Sequence, residues 1–482
     1  MQIASACNFI DGIWQPSKSS QTLPVVDPST GAAWETIADS SAEDVDAAVR
    51  AARKAFDHGS WGRTTAVDRG RMLMRLSQLI ARNADELAAL EARDTGKPKT
   101  SAIADITALA RYFEFYGGAA DKLHGEVVPY AEGTLVTVLR EPYGVTGHIL
   151  PWNYPAQMFG RTLAPALAAG NAVVLKPAED ACATPLRLAQ LALEAGFPPG
   201  AVNLVTGRGT VSGAALAAHP GVDFVSFTGS PAVGQIVQKL AADHFVGCTL
   251  ELGGKSPQIV FADADLDAAV PIIRKAILQN AGQTCSAGSR VLVERSVLAE
   301  LTARLQQAFS AARAGSPEMD LDCGPLISAK QQERVRGFIS RACEAGTPVL
   351  AEGAIDAGAH PAGYFVAPLL FGTPERSSEL ACEEVFGPVL TILPFDDEAD
   401  AVRFANATDY GLVAAVWTRD GGRQMRMAKR IRTGQVFVNC YGAGAGIELP
   451  FGGRGKSGHG REKGFGAMHE FTTTKTVVFN HG

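Results

Sequence analysis

A chain of 482 residues exceeds what one hydrophobic core usually supports and points to about three units of roughly 150 residues each. Hydrophobic residues make up 46% and charged residues 20%, with no acidic, basic or low-complexity block, so the chain reads as folded, with disorder confined to its ends. A net charge of -6 without a Lys/Arg run argues against a nucleic-acid partner, and the longest apolar stretch, 163–175, is interrupted by Pro165, Gly170 and Asn171 and is too short to cross a membrane.

Ser40 and Glu43 have capping-box spacing, and Val45, Ala48, Val49, Ala52 and Phe56 follow at helical intervals, which predicts a helix to about Gly59. A second helical pattern carries Met72, Leu76, Leu79, Ile80, Leu87 and Leu90. A third carries Ile103, Ile106, Leu109, Phe113 and Tyr116 before the Gly117-Gly118 stop. The N-terminal third is therefore expected to be helix-rich. From Gly125 to Glu141 the alternation of Val127, Val128, Leu135, Val136 and Val138 around a polar turn predicts a hairpin or ribbon. Short apolar runs at 145–150, 172–175, 202–205 and 224–227, each followed by a turn and a helix-like stretch, predict a parallel α/β sheet. A second alternating segment begins near Ile259, includes 291–293 and 390–393, and ends at 436–439, with a boundary expected near Glu251. The β-rich run 472–479 is expected to pair with the ribbon, within one chain or across subunits.

Eight cysteines, at 7, 182, 248, 285, 323, 343, 382 and 440, show no C-x-x-C pair, and nine histidines show no ligand spacing. These patterns predict reduced thiols and no metal. The N-terminus lacks a basic start followed by an apolar core, which favours a cytoplasmic location. Gly455-Lys456-Ser457 looks like the tail of a P-loop, but Pro450 stands where its leading glycine belongs and no helical pattern follows, so a nucleotide hydrolase is rejected.

Six strings carry the chemistry: Pro151-Trp152-Asn153-Tyr154-Pro155, Lys176-Pro177-Ala178-Glu179, Phe227-Thr228-Gly229-Ser230, Glu251-Leu252-Gly253-Gly254-Lys255, Gly282-Gln283-Thr284-Cys285 and Glu384-Val385-Phe386-Gly387-Pro388. In this order and spacing, over nearly the whole chain, they resemble the aldehyde dehydrogenase superfamily. The resemblance implies an α/β fold with a Rossmann-type NAD-binding domain at 1–123 and 142–250 and an α/β catalytic domain at 251–450. It also implies a small β oligomerisation ribbon at 124–141 and 468–482. The implied reaction is NAD-dependent oxidation of an aldehyde to a carboxylic acid in a homodimer or homotetramer.

The resemblance makes Cys285 the nucleophile. Its position between a helical segment and a strand places it on a loop, and a thiol with a reference pKa of about 8.5 needs a nearby base or a lowered pKa. Glu251, flanked by apolar residues and a glycine pair, is implied as the base that activates water against a thioester, which requires a carboxylate raised by burial. Asn153, in a proline-restricted loop, is implied to bind the oxyanion together with the Cys285 backbone N–H. Gly229 and Ser230 open a helix whose N-terminus suits a pyrophosphate. The nearby Gly207, Gly209 and Gly213 do not form the G-x-G-x-x-G fingerprint, in keeping with this family's variant way of holding NAD. Lys176 and Glu179 are implied to reach the adenosine ribose, where a carboxylate would repel a 2′-phosphate and favour NAD over NADP. Trp152 and Leu252 are the other implied cofactor contacts, with Glu384 and Phe386 beside the nicotinamide ribose and ring.

Arg161 stands where succinic semialdehyde dehydrogenases and some aromatic-aldehyde dehydrogenases also have Arg, which implies an acid-ended or aromatic aldehyde. Gln279 departs from the second Arg of the semialdehyde enzymes. Two alternatives accompany this reading. A CoA-acylating relative would resolve the thioester with CoA, but such enzymes generally lack the glutamate found here at 251. A non-enzymatic structural member of the family would not need the intact Cys285, Glu251 and Asn153.

Overall fold

The computed structural model describes residues 6–442 and 446–482. Its centre is a parallel sheet made from the runs that read as continuous apolar segments. The strands Val145–Ile149, Ala172–Lys176 and Phe224–Thr228 are buried along their whole lengths, the pattern of strands covered by helices on both faces. Across the sheet the five parallel strands run Val202–Leu204, Ala172–Lys176, Val145–Ile149, Phe224–Thr228, Gly247–Glu251. The order reverses between Val145–Ile149 and Phe224–Thr228, which opens a crevice at the carboxyl ends of those strands. Cys7–Ile10 and Ile13–Pro16 extend one edge antiparallel, and Gly458–His459 closes the other by pairing with Leu250 and Glu251. The observed class is α/β, as expected.

The second sheet orders its strands Val349–Glu352, Leu369–Phe371, Val389–Phe395, Arg290–Glu294, Pro257–Val260, Val413–Trp417, Gln435–Val438. Only Val349–Glu352 runs antiparallel to its neighbour. A third, three-stranded sheet joins Glu126–Val128, Thr134–Pro142 and Thr472–Asn480, so the last strand pairs with the ribbon of its own chain. After Gln435–Val438 the chain returns to the first sheet. Ser457 fixes this return: its carbonyl accepts from Leu252 N at 3.1 Å, and its Oγ donates to the Gly253 carbonyl at 2.7 Å. The Gly455-Lys456-Ser457 string thus lies beneath the Glu251 strand end and staples it.

Two local readings are corrected, and one stretch without a predicted element is filled. Residues 6–38 hold four strands, including the hairpin Thr22–Asp27 and Ala32–Ala38, ahead of the first helix of the described residues. The first helix, Ala42–Asp57, is capped by Ser41 and Asp44 rather than Ser40 and Glu43. Asp44 wins because it is buried and accepts from Ser41 N, Ser41 Oγ, Ser17 Oγ and Lys18 N, whereas Glu43 faces solvent. The pattern from Met72 to Leu90 is two helices, Ala66–Arg82 and Ala84–Thr95. Asn83 divides them, its side-chain amide donating to the Leu79 carbonyl at 2.7 Å and so competing with the helix ladder. Among the described residues no helix is long and apolar enough to cross a membrane.

Candidate active site

The first component follows the strand Val145–Ile149. Pro155 occupies the start of the helix Pro155–Ala169, where a missing N–H costs nothing, so the turn 151–154 is pinned at the crevice. Asn153 is buried. Its Nδ2 donates to the Gln283 carbonyl at 2.9 Å, leaving one amide hydrogen for another acceptor. Tyr154 Oη lies 2.8 Å from Thr284 Oγ1, a second tie to the same loop.

That loop joins the helix Leu266–Leu278 to the strand Arg290–Glu294 and carries Cys285. Asn280, Ala281 and Gly282 all have left-handed backbones, with φ of 48°, 54° and 75°. The strain is confined by packing, because a Cβ on Gly282 would lie 2.0 Å from the Gly387 carbonyl oxygen. Gln283 fastens the turn, donating to the carbonyls of Asn280 and Pro325 and accepting from Ile327 N. Cys285 packs against the small cluster of Leu412, Val413 and Phe451. Burial pushes its thiol up to about 12, against the opposing pull of Arg161 and with added repulsion from Glu384 and Glu251.

Glu251 ends the strand Gly247–Glu251 with its carboxylate buried, and neither oxygen has a hydrogen-bond partner among the described residues. Burial raises its pKa well above the ordinary carboxylate value and Glu462 adds to this, while Arg161 and Arg461 oppose it. Arg161, on the helix Pro155–Ala169, is also buried. Its Nη2 lies 3.6 Å from Glu251 Oε2, its Nε contacts Glu462 Oε2, and its Cζ stands 4.2 Å from the Phe451 ring centroid. The guanidinium is thus shared by two internal carboxylates and a ring. Gln279, the departure noted above, follows the helix Leu266–Leu278 at its C-terminal end.

The cofactor candidates stand just beyond strand ends or on segments that touch those turns. Lys176 ends the strand Ala172–Lys176, and its Nζ is 2.8 Å from Glu179 Oε2, while Glu179 Oε1 accepts from Gly209 N at 3.2 Å. Burial alone would raise the Glu179 pKa, but Lys176 and these hydrogen bonds leave it lowered and the carboxylate charged. Ser230 caps the helix Pro231–Ala242, and Gly229 N donates to the Glu251 carbonyl at 3.1 Å, so this turn is bonded to the strand end bearing the candidate base. Leu252 packs on the same helix, since a Cβ on Gly234 would lie 2.6 Å from its Cδ2. Glu384 Oε1 accepts from Gly254 N at 2.9 Å, and burial lifts its pKa to about 7. Phe386 has a left-handed φ of 61° and meets Trp152 edge-on, with centroids 5.4 Å apart.

The Aldehyde dehydrogenase family profile matches residues 14–477. The mitochondrial aldehyde dehydrogenase of Equus caballus is 43% identical over 474 residues, covering 98% of this chain and 94% of the horse protein. This chain belongs to the aldehyde dehydrogenase family. A crystal structure of a putative aldehyde dehydrogenase from Burkholderia cenocepacia superposes with a TM-score of 0.98 at 60% identity, covering 99% of this chain and all of that one. Betaine aldehyde dehydrogenase of Staphylococcus aureus, solved in complex with NAD+, gives a TM-score of 0.96 at 34% identity, covering 99% and 95% of the two chains.

Motif reading of this aldehyde dehydrogenase overlooked the charges that surround the candidate residues. Glu462 contacts Arg161, and Arg461 and Lys463 flank it. Lys97, Glu91 and Asp105 lie behind Asn153. A signal existed for the last two: Glu91 falls on the stripe of Leu87 and Ala88, and Asp105 among Ala102, Ile106 and Leu109, so both carboxylates sit on apolar helix faces. The glycine-rich loop 441–449 lies partly outside the described residues, at 443–445.

Proposed function

We propose that this protein oxidises an aldehyde to a carboxylic acid with NAD, through a covalent bond to Cys285. The observation that carries the reading is the convergence on one loop: Asn153 Nδ2 bonded to the Gln283 carbonyl two residues before Cys285, with the charges of the buried Arg161–Glu251 pair acting on the same thiol. Glu251, raised by burial and without a hydrogen-bond partner among the described residues, is suited to take the thiol proton. Thiolate attack on the carbonyl forms the carbon–sulfur bond, and the free amide hydrogen of Asn153 with the Cys285 N–H holds the oxyanion. NAD, when bound, supplies the acceptor for the hydride lost from carbon. Glu251, once it has passed the thiol proton to solvent, draws a proton from water, which attacks the thioester, expels Cys285 as the thiolate and releases the acid.

The residues present fit that cofactor. The strand-order reversal, the charged Glu179 beside Lys176, and the capped helix start at Gly229 and Ser230 suit ribose and pyrophosphate. Trp152, Leu252, Glu384 and Phe386 would complete the set. The substrate proposed is an acid-ended semialdehyde or an aromatic aldehyde, with Arg161 as the cation or ring partner that selects it. Residues 1–123 and 142–250 are proposed as the cofactor domain and 251–450 as the catalytic domain, with 124–141 and 468–482 as the ribbon of a cytoplasmic homodimer or homotetramer.

The test is NADH formation across aliphatic, aromatic and acid-ended aldehydes, with and without CoA, for the parent enzyme and Cys285→Ala. Expected are free acid as product without CoA, loss of turnover in Cys285→Ala, and NAD binding retained in that variant. Unchanged turnover would sink the covalent mechanism, and strict dependence on CoA would make the enzyme an acylating one. A preference for uncharged aliphatic aldehydes would remove Arg161 from substrate selection.

A further inference from the structure

The turn that carries Asn153 rests on a charge cluster that the mechanism above does not use. Lys97, Glu91 and Asp105 are buried together. Lys97 Nζ donates to Glu91 Oε1 at 3.0 Å, to an Asp105 carboxylate oxygen, and to the backbone carbonyl of Asn153 at 3.2 Å. These three acceptors use all three hydrogens of the ammonium. Its apolar approach is the Tyr154 ring, 4.5 Å from Nζ to the centroid. The two carboxylates reach the same turn: Glu91 Oε2 accepts from Ala156 N at 3.2 Å, and Asp105 Oδ1 accepts from Gln157 Nε2 at 2.7 Å. Each member is therefore bonded within residues 153–157.

A buried ion cluster of this kind is a poor source of stability, because apolar side chains of similar volume are often as good or better. Its effect is geometric. The Asn153 carbonyl lies in the peptide plane that sets the direction of the Asn153 side chain, and it takes a second donor, Asn280 Nδ2 at 2.9 Å, from the loop of Cys285. One carbonyl thus joins the charge cluster to both sides of the reacting centre.

We propose that Lys97 is a positioning residue for the oxyanion site: by holding the Asn153 carbonyl it fixes the peptide from which the Asn153 amide reaches over Cys285. The proposal rests on the reading of Asn153 as oxyanion donor. A displacement of about 1 Å at such a donor costs on the order of 100-fold in rate, so the effect of Lys97 falls on kcat and leaves NAD affinity and aldehyde KM nearly unchanged.

The experiment is a double-mutant cycle on the full-length enzyme, with Lys97→Met, Asn153→Ala and the double variant, reading kcat, KM, NAD affinity and melting temperature. Expected is a fall in kcat of roughly 50-fold for Lys97→Met alone, but less than about threefold when it is added to Asn153→Ala, because the group being positioned is gone. Equal losses in both backgrounds would make Lys97 a structural residue only and overturn the proposal. If Asn153→Ala leaves kcat unchanged, the oxyanion reading itself fails and the proposal with it. Asp105→Asn, which keeps the ammonium but weakens its anchor, enters the same cycle if Lys97→Met does not fold, and additivity there overturns the proposal equally.

Discussion

At the scale of single residues, the thiol of Cys285 is protonated at neutral pH unless a neighbour intervenes. Burial places its pKa at about 12, and the group opposing burial most strongly is Arg161. The same guanidinium opposes the rise at Glu251. Both reactive forms, thiolate and carboxylate, are anions, so a buried cation favours each, and removing it raises both pKa values. The acid limb of the kcat/KM profile should therefore move to higher pH in Arg161→Met. Activity at pH 7 is expected to fall by about tenfold or more and to recover progressively as pH rises, the direction required for groups that act when deprotonated. A pH–rate profile with an uncharged aldehyde checks this without involving a substrate carboxylate. A profile lowered evenly at every pH would show that Arg161 acts by shape or by binding rather than by charge. The variant leaves Glu462 and Glu251 buried together without the cation they share, so its melting temperature should also drop.

At the scale of elements, the Cys285 loop shows how a strained turn is held. Three successive left-handed residues are affordable only because Gly282 packs against Gly387 and Gln283 ties both neighbouring segments down. Gly282→Ala would meet a positive φ and a backbone oxygen 2.0 Å from its Cβ. The expected cost is about 2 to 4 kcal/mol of stability, with kcat falling further than melting temperature alone predicts, as read by thermal unfolding and steady-state kinetics. A stable variant with parental kcat would mean that the loop relaxes without disturbing Cys285. Some of this loop was legible beforehand: Gly282 and Cys285 stand in a motif, and the flanking helix and strand follow from apolar periodicity. Asn280 and Ala281 gave no sign, because nothing in their residue types demands a left-handed backbone. The parallel strands were legible because their continuous β-branched and aromatic runs admit few other readings. The helix break at Asn83 and the cap at Asp44 were not, because each depends on which of two neighbouring polar groups finds a partner. Lys97 was invisible for a further reason: the carbonyl it holds lies 56 residues away along the chain.

At the scale of the whole molecule, the three-stranded ribbon raises a question of solvent exposure. Thr472–Asn480 is an edge strand of nine residues, and Leu135, Leu139 and Phe479, at 44%, 42% and 52% exposed, stand on one face of the ribbon. A long edge strand beside an uncovered apolar face invites pairing with another chain, and proteins that leave such strands free usually blunt them with charge, proline or a bulge. The only lysine on this strand, Lys475, is engaged by Glu141. The ribbon is therefore expected to bury this face against a second copy. Leu135 and Phe479 are direct cross-strand partners, so Leu135→Lys combined with Phe479→Glu keeps an attractive pair within the ribbon while making its outer face polar. Light scattering should then report a particle of half the parental mass or less, and the melting transition should remain cooperative, because both core sheets lie outside the ribbon. The assembly-linked part of stability should disappear with the interface, making the parental melting temperature dependent on protein concentration and that of the variant independent of it. An unchanged mass with unchanged concentration dependence would place the subunit contact elsewhere and leave the ribbon as a projection of the single chain.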